Sequence, residues 1–263
     1  MHTLRDTHHT QTVSDYLNMK RLFIVALMGT LLTGFSQPAD TIIVINGNSA
    51  FQSFELEYVQ SDSAEFYNSA YKNKIYFDSS HVRFGDSSFT LRTRSSRFSY
   101  PLFKGEYING TNWYEYVGYL KPLNLYILHG YTYASNFILG EILLVDSLNS
   151  THYGIWSAYD APNELPLISP NEELMITYGN APYDVEGEHR LWIINIHDNG
   201  EHHTYKCNYD FFESRKFAVE QIKWKDNDTI VIKGYSEVLV NGQWTKKYSF
   251  WKSKIPEEIK NNR

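Results

Sequence analysis

"LISPNEELMITYG" (residues 167–179) contains two short apolar runs on either side of a turn-forming group, Ser169–Glu172. After the acidic insertion "NAPYDVEGEH", "RLWIINIHDNGEHHTYKCNY" (190–209) adds a third apolar run, a turn at His197–Gly200 and a fourth run. Short apolar runs that are separated by Asn, Asp, Gly, Ser and Pro predict strands joined by tight turns. Together these residues predict one four-stranded antiparallel meander.

The same order of strands and turns recurs on both sides of this unit. "EQIKWKDNDTIVIKGY" (220–235) and "QWTKKYSFWKSKI" (243–255) follow it, and "YLKPLNLYILHGYTY" (119–133) with "FILGEILLVDSLNSTHYGI" (137–155) precedes it. The turn residues Pro122, Pro170 and Asp226 are 48 and 56 residues apart. Propeller blades recur every 40–50 residues or so, and a meander that cannot bury both faces alone is stabilised by stacking on its neighbours.

The central unit resembles the blade motif of bacterial WD40-like and TolB-like β-propellers. In that motif a Ser-Pro-Asp-Gly-type turn joins the first two strands and an Asp-x-Gly turn ends the third; here Asn171 and Glu172 replace Asp-Gly. Residues from about Ser88 to Ile255 are also similar to an uncharacterised exported bacterial protein family that carries "YVGYL…LNLYILHGYTY…EILLVDS". The resemblance implies a propeller-like array of meanders and brings no functional residues with it.

Aromatic residues make up 16% of the chain, with 21 Tyr, 15 Phe and 6 Trp. Such residues favour strands because they cover a half-buried pleated surface. Several of the runs are apolar on both faces, which predicts strands buried between two layers. We therefore expect an all-β protein with a propeller-like array of four-stranded antiparallel meanders; a β-sandwich is the alternative.

The segment "MKRLFIVALMGTLLTGFSQPAD" (19–40) has the order of a secretory signal peptide. Lys20 and Arg21 precede an apolar centre, and small residues follow it. The apolar part is shorter than the roughly 20 residues that span a bilayer as a helix. We expect cleavage near Ser36/Gln37, export to the periplasm or the exterior, and no stable membrane anchor after cleavage.

The pattern predicts five segments. Residues 1–18 are either an extension upstream of a true start at Met19 or a disordered tail, and 19–36 are the signal peptide. An N-terminal β region follows at 37–110, then propeller-like blades at 111–255 and a polar tail at 256–263.

Charge and cysteine usage exclude some functions. The formal net charge of −6 disfavours non-specific nucleic-acid binding. Arg92, Arg94 and Arg97 form the only local basic cluster, which we expect on a solvated strand face. Cys207 is the single cysteine, so no internal disulfide is possible, and we expect a partly buried structural thiol.

Candidate ligand-binding residues lie in the acidic insertion. Asp184, Glu186 and Glu188 alternate there, loosely like a calcium loop, although the bidentate acid and regular spacing of an EF-hand are missing. A solvated loop is the competing interpretation. His189, His197, His202 and His203 fall within fifteen residues, but their spacing is wrong for one zinc ion, which predicts solvated turn histidines. We expect no metal and no cofactor.

The sequence contains no G-x-S-x-G elbow, no H-E-x-x-H motif and no glycine-rich phosphate loop. The main hypothesis is therefore an exported non-enzymatic module that binds a protein or a cell-envelope component. The alternative is a carboxylate-dependent hydrolase of glycans or peptides, for which Glu106, Glu115, Glu141, Asp160 and Glu164 are the scattered acids.

Overall fold

The fold is all-β, as expected. The computed structural model describes residues 42–46, 52–53, 56–69, 75–157, 162–180, 189–200, 202–207, 209–210, 212–214 and 217–261. In chain order the strands are β1 (Ile42–Val44), β2 (Gln52–Ser53), β3 (Val59–Gln60), β4 (Ile75–Tyr76), β5 (Val82–Phe84), β6 (Ser88–Arg92), β7 (Arg97–Pro101), β8 (Asn112–Leu120), β9 (Leu125–Ala134), β10 (Phe137–Asp146), β11 (His152–Trp156), β12 (Leu167–Ile168), β13 (Leu174–Asn180), β14 (His189–Asp198), β15 (His203–Lys206), β16 (Tyr209–Asp210), β17 (Phe212–Ser214), β18 (Ala218–Trp224), β19 (Thr229–Val240) and β20 (Gln243–Lys254). Two short helices, α1 (Ser63–Asn68) and α2 (Glu257–Asn261), and a 3-10 turn at Lys121–Leu123 complete the set.

Four antiparallel meanders follow one another along the chain. Sheet I contains β5–β7, sheet II is built on β8–β11, sheet III on β12–β15 with β17 beside β14, and sheet IV on β18–β20. Sheets II and III are the predicted four-stranded meanders. Sheet I comes from residues that the sequence left as an undivided N-terminal β region, and it has three strands.

The three predicted turns occupy the same place in successive meanders. Pro122 joins β8 to β9, Pro170 joins β12 to β13 and Asp226 joins β18 to β19, so each connects the first and second strands of its sheet. The Asp226 carboxylate accepts hydrogen bonds from the backbone N–H groups of Asp228 and Thr229, at 3.1 and 2.7 Å. This is the local pairing that makes aspartate a turn former.

The strands before residue 77 complete the edges of other sheets. β1 runs parallel to β11 and β4 pairs with β8, which gives sheet II six strands. β3 pairs with β20 and becomes the fourth strand of sheet IV, while β2 and β16 form a two-stranded parallel pair. An N-terminal segment therefore fastens sheets that are far from it in sequence.

The core lies between the sheets, in three apolar layers. The layer between sheets I and II contains Phe89, Leu91, Leu128 and Val145, among others. The layers between II and III and between III and IV follow, and their largest buried side chains are Trp192 and Trp224 respectively. Sheets I to IV therefore stack face to face in chain order.

Strand alternation explains why one strand serves two layers. In β9, Ile127 faces sheet III and its neighbour Leu128 faces sheet I, because successive side chains point to opposite faces. In β14, Trp192 and Ile193 divide in the same way between sheets II and IV. The strands predicted to be apolar on both faces are therefore buried between layers. None of the described sheets closes into a barrel or a propeller ring.

Several smaller expectations can be compared with the fold. Cys207 is buried in the layer between sheets II and III. Arg92 and Arg97 are exposed on sheet I as expected, whereas Arg94 lies in the following turn. Residues 256–263, which we expected to form a polar tail, include α2, whose Ile259 is fully buried under sheet IV. In the described ranges, no helix has the length and apolar character needed to cross a membrane.

Candidate binding surface

The outer end of sheet IV carries four large exposed apolar or aromatic side chains on paired strands, Leu239, Val240, Trp244 and Tyr248. β19 and β20 are twelve residues each and pair along their whole length. β18 pairs with β19 only as far as Tyr235, and β3 reaches only Trp251 and Lys252 of β20. Residues 236–247 therefore form a hairpin that pairs with no other described strand. We call these residues the projecting hairpin.

Local sequence chemistry sets the tip of the projecting hairpin. Asn241 and Gly242 connect Val240 to Gln243 with φ values of 51° and 77°. Two consecutive residues with positive φ form the type I′ turn, whose twist matches that of an antiparallel pair and which favours Asn-Gly. The hairpin is therefore a specified structure, although no residue of it is buried.

One face of the hairpin is aromatic and apolar. Leu239 lies directly opposite Trp244, and Tyr235 lies opposite Tyr248 nearer the body of the sheet. The charged pair Glu237–Lys246 lies between these two rows on the same face. These side chains point away from sheet III, because Ile230 and Ile232 of the same strand pack toward it. Trp244 is 66% exposed and Leu239 is 60% exposed. We call this face, with Tyr235, Leu239, Trp244 and Tyr248, the aromatic face.

Two of the aromatic rings on this face are in contact with lysine side chains. Lys246 Nζ lies 3.9 Å from the centre of the Tyr235 ring, and Lys233 Nζ lies 4.0 Å from the centre of the Tyr248 ring. Each distance is within the range of a cation–π contact. Glu220 of β18 pairs with Lys233 at 3.2 Å; partial burial alone would raise its carboxyl pKa, but the hydrogen bond and charge of Lys233 give a net lowering. The rings of Tyr235 and Tyr248 therefore each have a cation–π partner within sheet IV.

Helix α1 covers the base of the same face and leaves the hairpin free. Phe66 is buried against Phe250, with ring centres 5.7 Å apart, and its carbonyl accepts a hydrogen bond of 3.1 Å from Lys223 Nζ. Glu65 forms ion pairs with Lys225 at 2.7 Å and Lys252 at 3.2 Å. Sheet IV is thus the last sheet of the stack, and only part of its outer surface is covered.

The predicted ligand residues Asp184, Glu186 and Glu188 lie outside the described residues, so the structure places none of them. Of the neighbouring histidines, His189 differs from the solvated turn residue that we expected. It is fully buried, 3.1 Å from the Tyr58 hydroxyl through Nε2 and 2.9 Å from the Phe217 carbonyl oxygen through Nδ1. It belongs to the packing of sheets III and IV, because β14 begins at this residue rather than after it.

His189 and His197 lie near opposite ends of the ten-residue strand β14. Among the residues that the structure describes, no group of three or more His, Cys, Asp or Glu side chains is arranged to hold a metal ion.

Glu141, one of the scattered acids predicted from the sequence, lies where its charged form is disfavoured by burial. It lies in β10 on the face of sheet II toward sheet I, paired with Gly130 of β9. A Cβ atom on Gly130 would lie 2.9 Å from Glu141 Oε1 and 3.0 Å from a ring carbon of Tyr114, so the glycine makes room for both side chains. Burial raises the pKa of Glu141 to about 7. Near neutral pH this group is therefore poised between its two protonation states.

Glu115, another of the scattered acids, does not share this face of sheet II with Glu141. Glu115 pairs with His129, one residue from the Gly130–Glu141 pair, and so points to the opposite face of sheet II. Burial lowers the pKa of His129, and the nearby Glu115 opposes that shift. Asp160 lies outside the described residues.

The projecting hairpin was missed in the sequence. The prediction ended β19 at Tyr235 and began the next strand at Gln243, although Asn241-Gly242 between alternating residues is a strong hairpin signal. The comparisons with known proteins give no further guidance: neither the family models nor the curated proteins nor the solved structures include a match to this chain.

Proposed function

We propose that this chain is an exported, propeller-like binding module that docks a protein of the cell envelope through the aromatic face of its projecting hairpin. The observation that carries the proposal is the pair Leu239–Trp244, which is exposed on a rigid, fully paired hairpin. Trp and Tyr are among the residues that contribute most to protein–protein recognition, and presentation in a preformed conformation lowers the entropy lost on binding.

The propeller-like part of the proposal rests on the four stacked meanders. In the described residues, the three apolar clusters each join sheets that are neighbours in sequence, and the first-to-second-strand turns recur in II, III and IV. β3 supplies the outer strand of sheet IV, so this sheet combines residues from the N-terminal and C-terminal parts of the described chain. Export rests on the signal-like residues 19–36.

Binding through the hairpin can be tested by capture from an envelope fraction. We expect the wild-type chain to retain a partner, and the double variant Leu239→Ser/Trp244→Ser to lose at least about tenfold in affinity, since a Trp anchor and the apolar side chain opposite it are removed. Because both residues are exposed, the melting temperature should stay within a few degrees.

Phe137 supplies the matched control. It is 53% exposed at the tip of the β9–β10 hairpin, far from sheet IV in the stack. Phe137→Ser should retain the partner at wild-type affinity. If the Leu239/Trp244 double variant and the Phe137 variant retained the partner equally well, the hairpin would not be part of the binding site.

The alternative function, a carboxylate-dependent hydrolase, would rest on Glu141. A carboxyl with a pKa of about 7 suits general acid–base work at neutral pH. Glycan hydrolysis by the usual mechanism needs a second carboxyl group, and the two must flank the scissile bond. Turnover of a glycan or peptide substrate that is abolished in Glu141→Gln would favour the hydrolase over the binding module.

A further inference from the structure

The outer face of sheet I differs from every other face of the stack. Phe89, Leu91 and Tyr100 point inward to sheet II, so the alternate residues of β5, β6 and β7 point away from the body. The outward side chains are Arg83, Ser88, Thr90, Arg92, Arg97, Ser99 and Pro101. Residues 82–101 contain four arginines against one acid, Asp86, in a chain whose net charge is −6.

The arginines are close together on this face. Arg92 lies directly opposite Arg97 in the β6–β7 ladder, and Arg83 is paired with Thr90, one row away. Directly opposed residues have Cβ atoms about 5 Å apart, and diagonal neighbours are about 7–8 Å apart. Within the described part of the chain, Arg83, Arg92, Arg94 and Arg97 form no ion pair, and the three strand arginines are exposed.

This arrangement costs stability. Like charges that face each other across a ladder are destabilising, and no carboxylate in the described ranges offsets the Arg92–Arg97 repulsion. An anionic ligand that bridges the two guanidinium groups would relieve that repulsion on binding.

The turn beside the arginines is held rigidly. Arg94 N–H donates a hydrogen bond of 2.8 Å to the Ser147 carbonyl of sheet II. The hydroxyl of Ser150 lies 2.6 Å from that of Thr93 and 2.7 Å from that of Ser95. The β6–β7 turn is thus fastened to the β10–β11 turn, and the arginines on either side of it are presented on a fixed frame.

We propose that the outer face of sheet I binds an acidic polysaccharide. Guanidinium groups form paired hydrogen bonds with carboxylates or sulfates, and the hydroxyls of Ser88, Thr90 and Ser99 between them suit the hydroxyls of sugars. Among the described outward side chains of sheet I, none is aromatic and only Pro101 is apolar, so the face has no platform for stacking nucleobases and little apolar surface to enter a bilayer. This site is separate from the projecting hairpin and does not depend on it.

The test uses the full chain and polygalacturonate as the probe. We expect polygalacturonate to bind the wild type and neutral dextran not to bind. Arg92→Gln/Arg97→Gln should weaken polygalacturonate binding at least about tenfold, because both bridging groups are lost. The same variant should melt at the wild-type temperature or above it, because a like-charge pair has been removed.

Lys121→Gln/Lys206→Gln is the matched control, because it removes two exposed cations outside sheet I. It should weaken binding less than about threefold. An equal loss in both double variants would mean non-specific attraction and would overturn the proposal. No binding of polygalacturonate would overturn it as well, as would tighter arginine-dependent binding of single-stranded DNA or of vesicles of anionic phospholipid.

Discussion

At the scale of single residues, Glu172 occupies the position at which the turn motif of propeller blades has glycine. Its φ is 61°, in the left-handed region that glycine adopts more readily than other residues. The Ser169 carbonyl accepts its N–H at 2.9 Å and Leu174 N–H donates to Ser169 Oγ at 3.0 Å, so the turn is fully bonded in spite of the strain.

Replacing Glu172 by glycine should relieve this strain. A non-glycine residue in the left-handed region costs about 1 kcal/mol, and Glu172→Gly keeps the backbone hydrogen bond. We expect the free energy of unfolding in urea to rise by about 0.5–1 kcal/mol. Glu173→Gly, at the next residue, should instead destabilise by about that amount. If Glu172→Gly were no more stable than Glu173→Gly, the turn would not be strained.

Glu141 makes a second residue-scale prediction, on pH dependence. Its pKa in the folded chain is about 7, above the ordinary value of 4.5, because burial disfavours the charge. As pH rises, the unfolded chain therefore loses the Glu141 proton at a lower pH than the folded chain does. The folded state loses stability between pH 4.5 and pH 7 as a result.

Glu141→Gln should remove that loss. We expect the variant to be about 1–3 kcal/mol more stable than the wild type at pH 8, and the difference to shrink at pH 4.5. Urea unfolding across this range measures it. A difference that does not vary with pH would show that Glu141 is not protonated in the fold.

At the scale of elements, α1 is attached to sheet IV by the buried ring of Phe66 and by the ion pairs of Glu65. Lys225 donates the strongest hydrogen bond to Glu65, Ser61 and Lys252 donate others, and together they lower the pKa of Glu65 to about 2. Because this carboxyl pKa is lowered on folding, its stabilising contribution is fully present above about pH 4.5. The contribution is lost as pH falls toward 2.

Glu65→Gln should weaken this attachment. We expect a loss of about 1–2 kcal/mol in the free energy of unfolding at pH 7, and a flatter dependence on pH between 4.5 and 2. Glu257→Gln is the control, because its pair with Lys260 is largely exposed, and it should cost less than about 0.5 kcal/mol. Equal losses in the two variants would contradict the role of Glu65.

The sequence predicts most of the strands, but it does not predict strands that form only by pairing with a strand far away in the chain. Strand β10 is the predicted run Phe137–Asp146, because apolar residues between two turn groups specify a buried strand locally. β3 and β4 are two residues each and exist only because they meet the edges of sheets IV and II, which no local pattern shows. The projecting hairpin was readable from Asn241-Gly242, whereas the exposure of Trp244 depends on where the neighbouring strands stop.

At the scale of the whole molecule, the stack has two unlike outer faces. Sheet I presents arginines and hydroxyls, and sheet IV presents aromatic and apolar side chains held by lysines. Each inner sheet is buried on both sides, so the two end sheets are where a stacked array can carry recognition. Binding at the ends needs no change in the core.

The central claim, that a partner docks on the projecting hairpin, can be tested most directly by photo-crosslinking in the producing cells. A benzoylphenylalanine in place of Trp244 should give a discrete adduct with one protein, and the same group in place of Phe137 should give none. Adducts of the same kind at both positions, or no adduct at position 244, would contradict the claim.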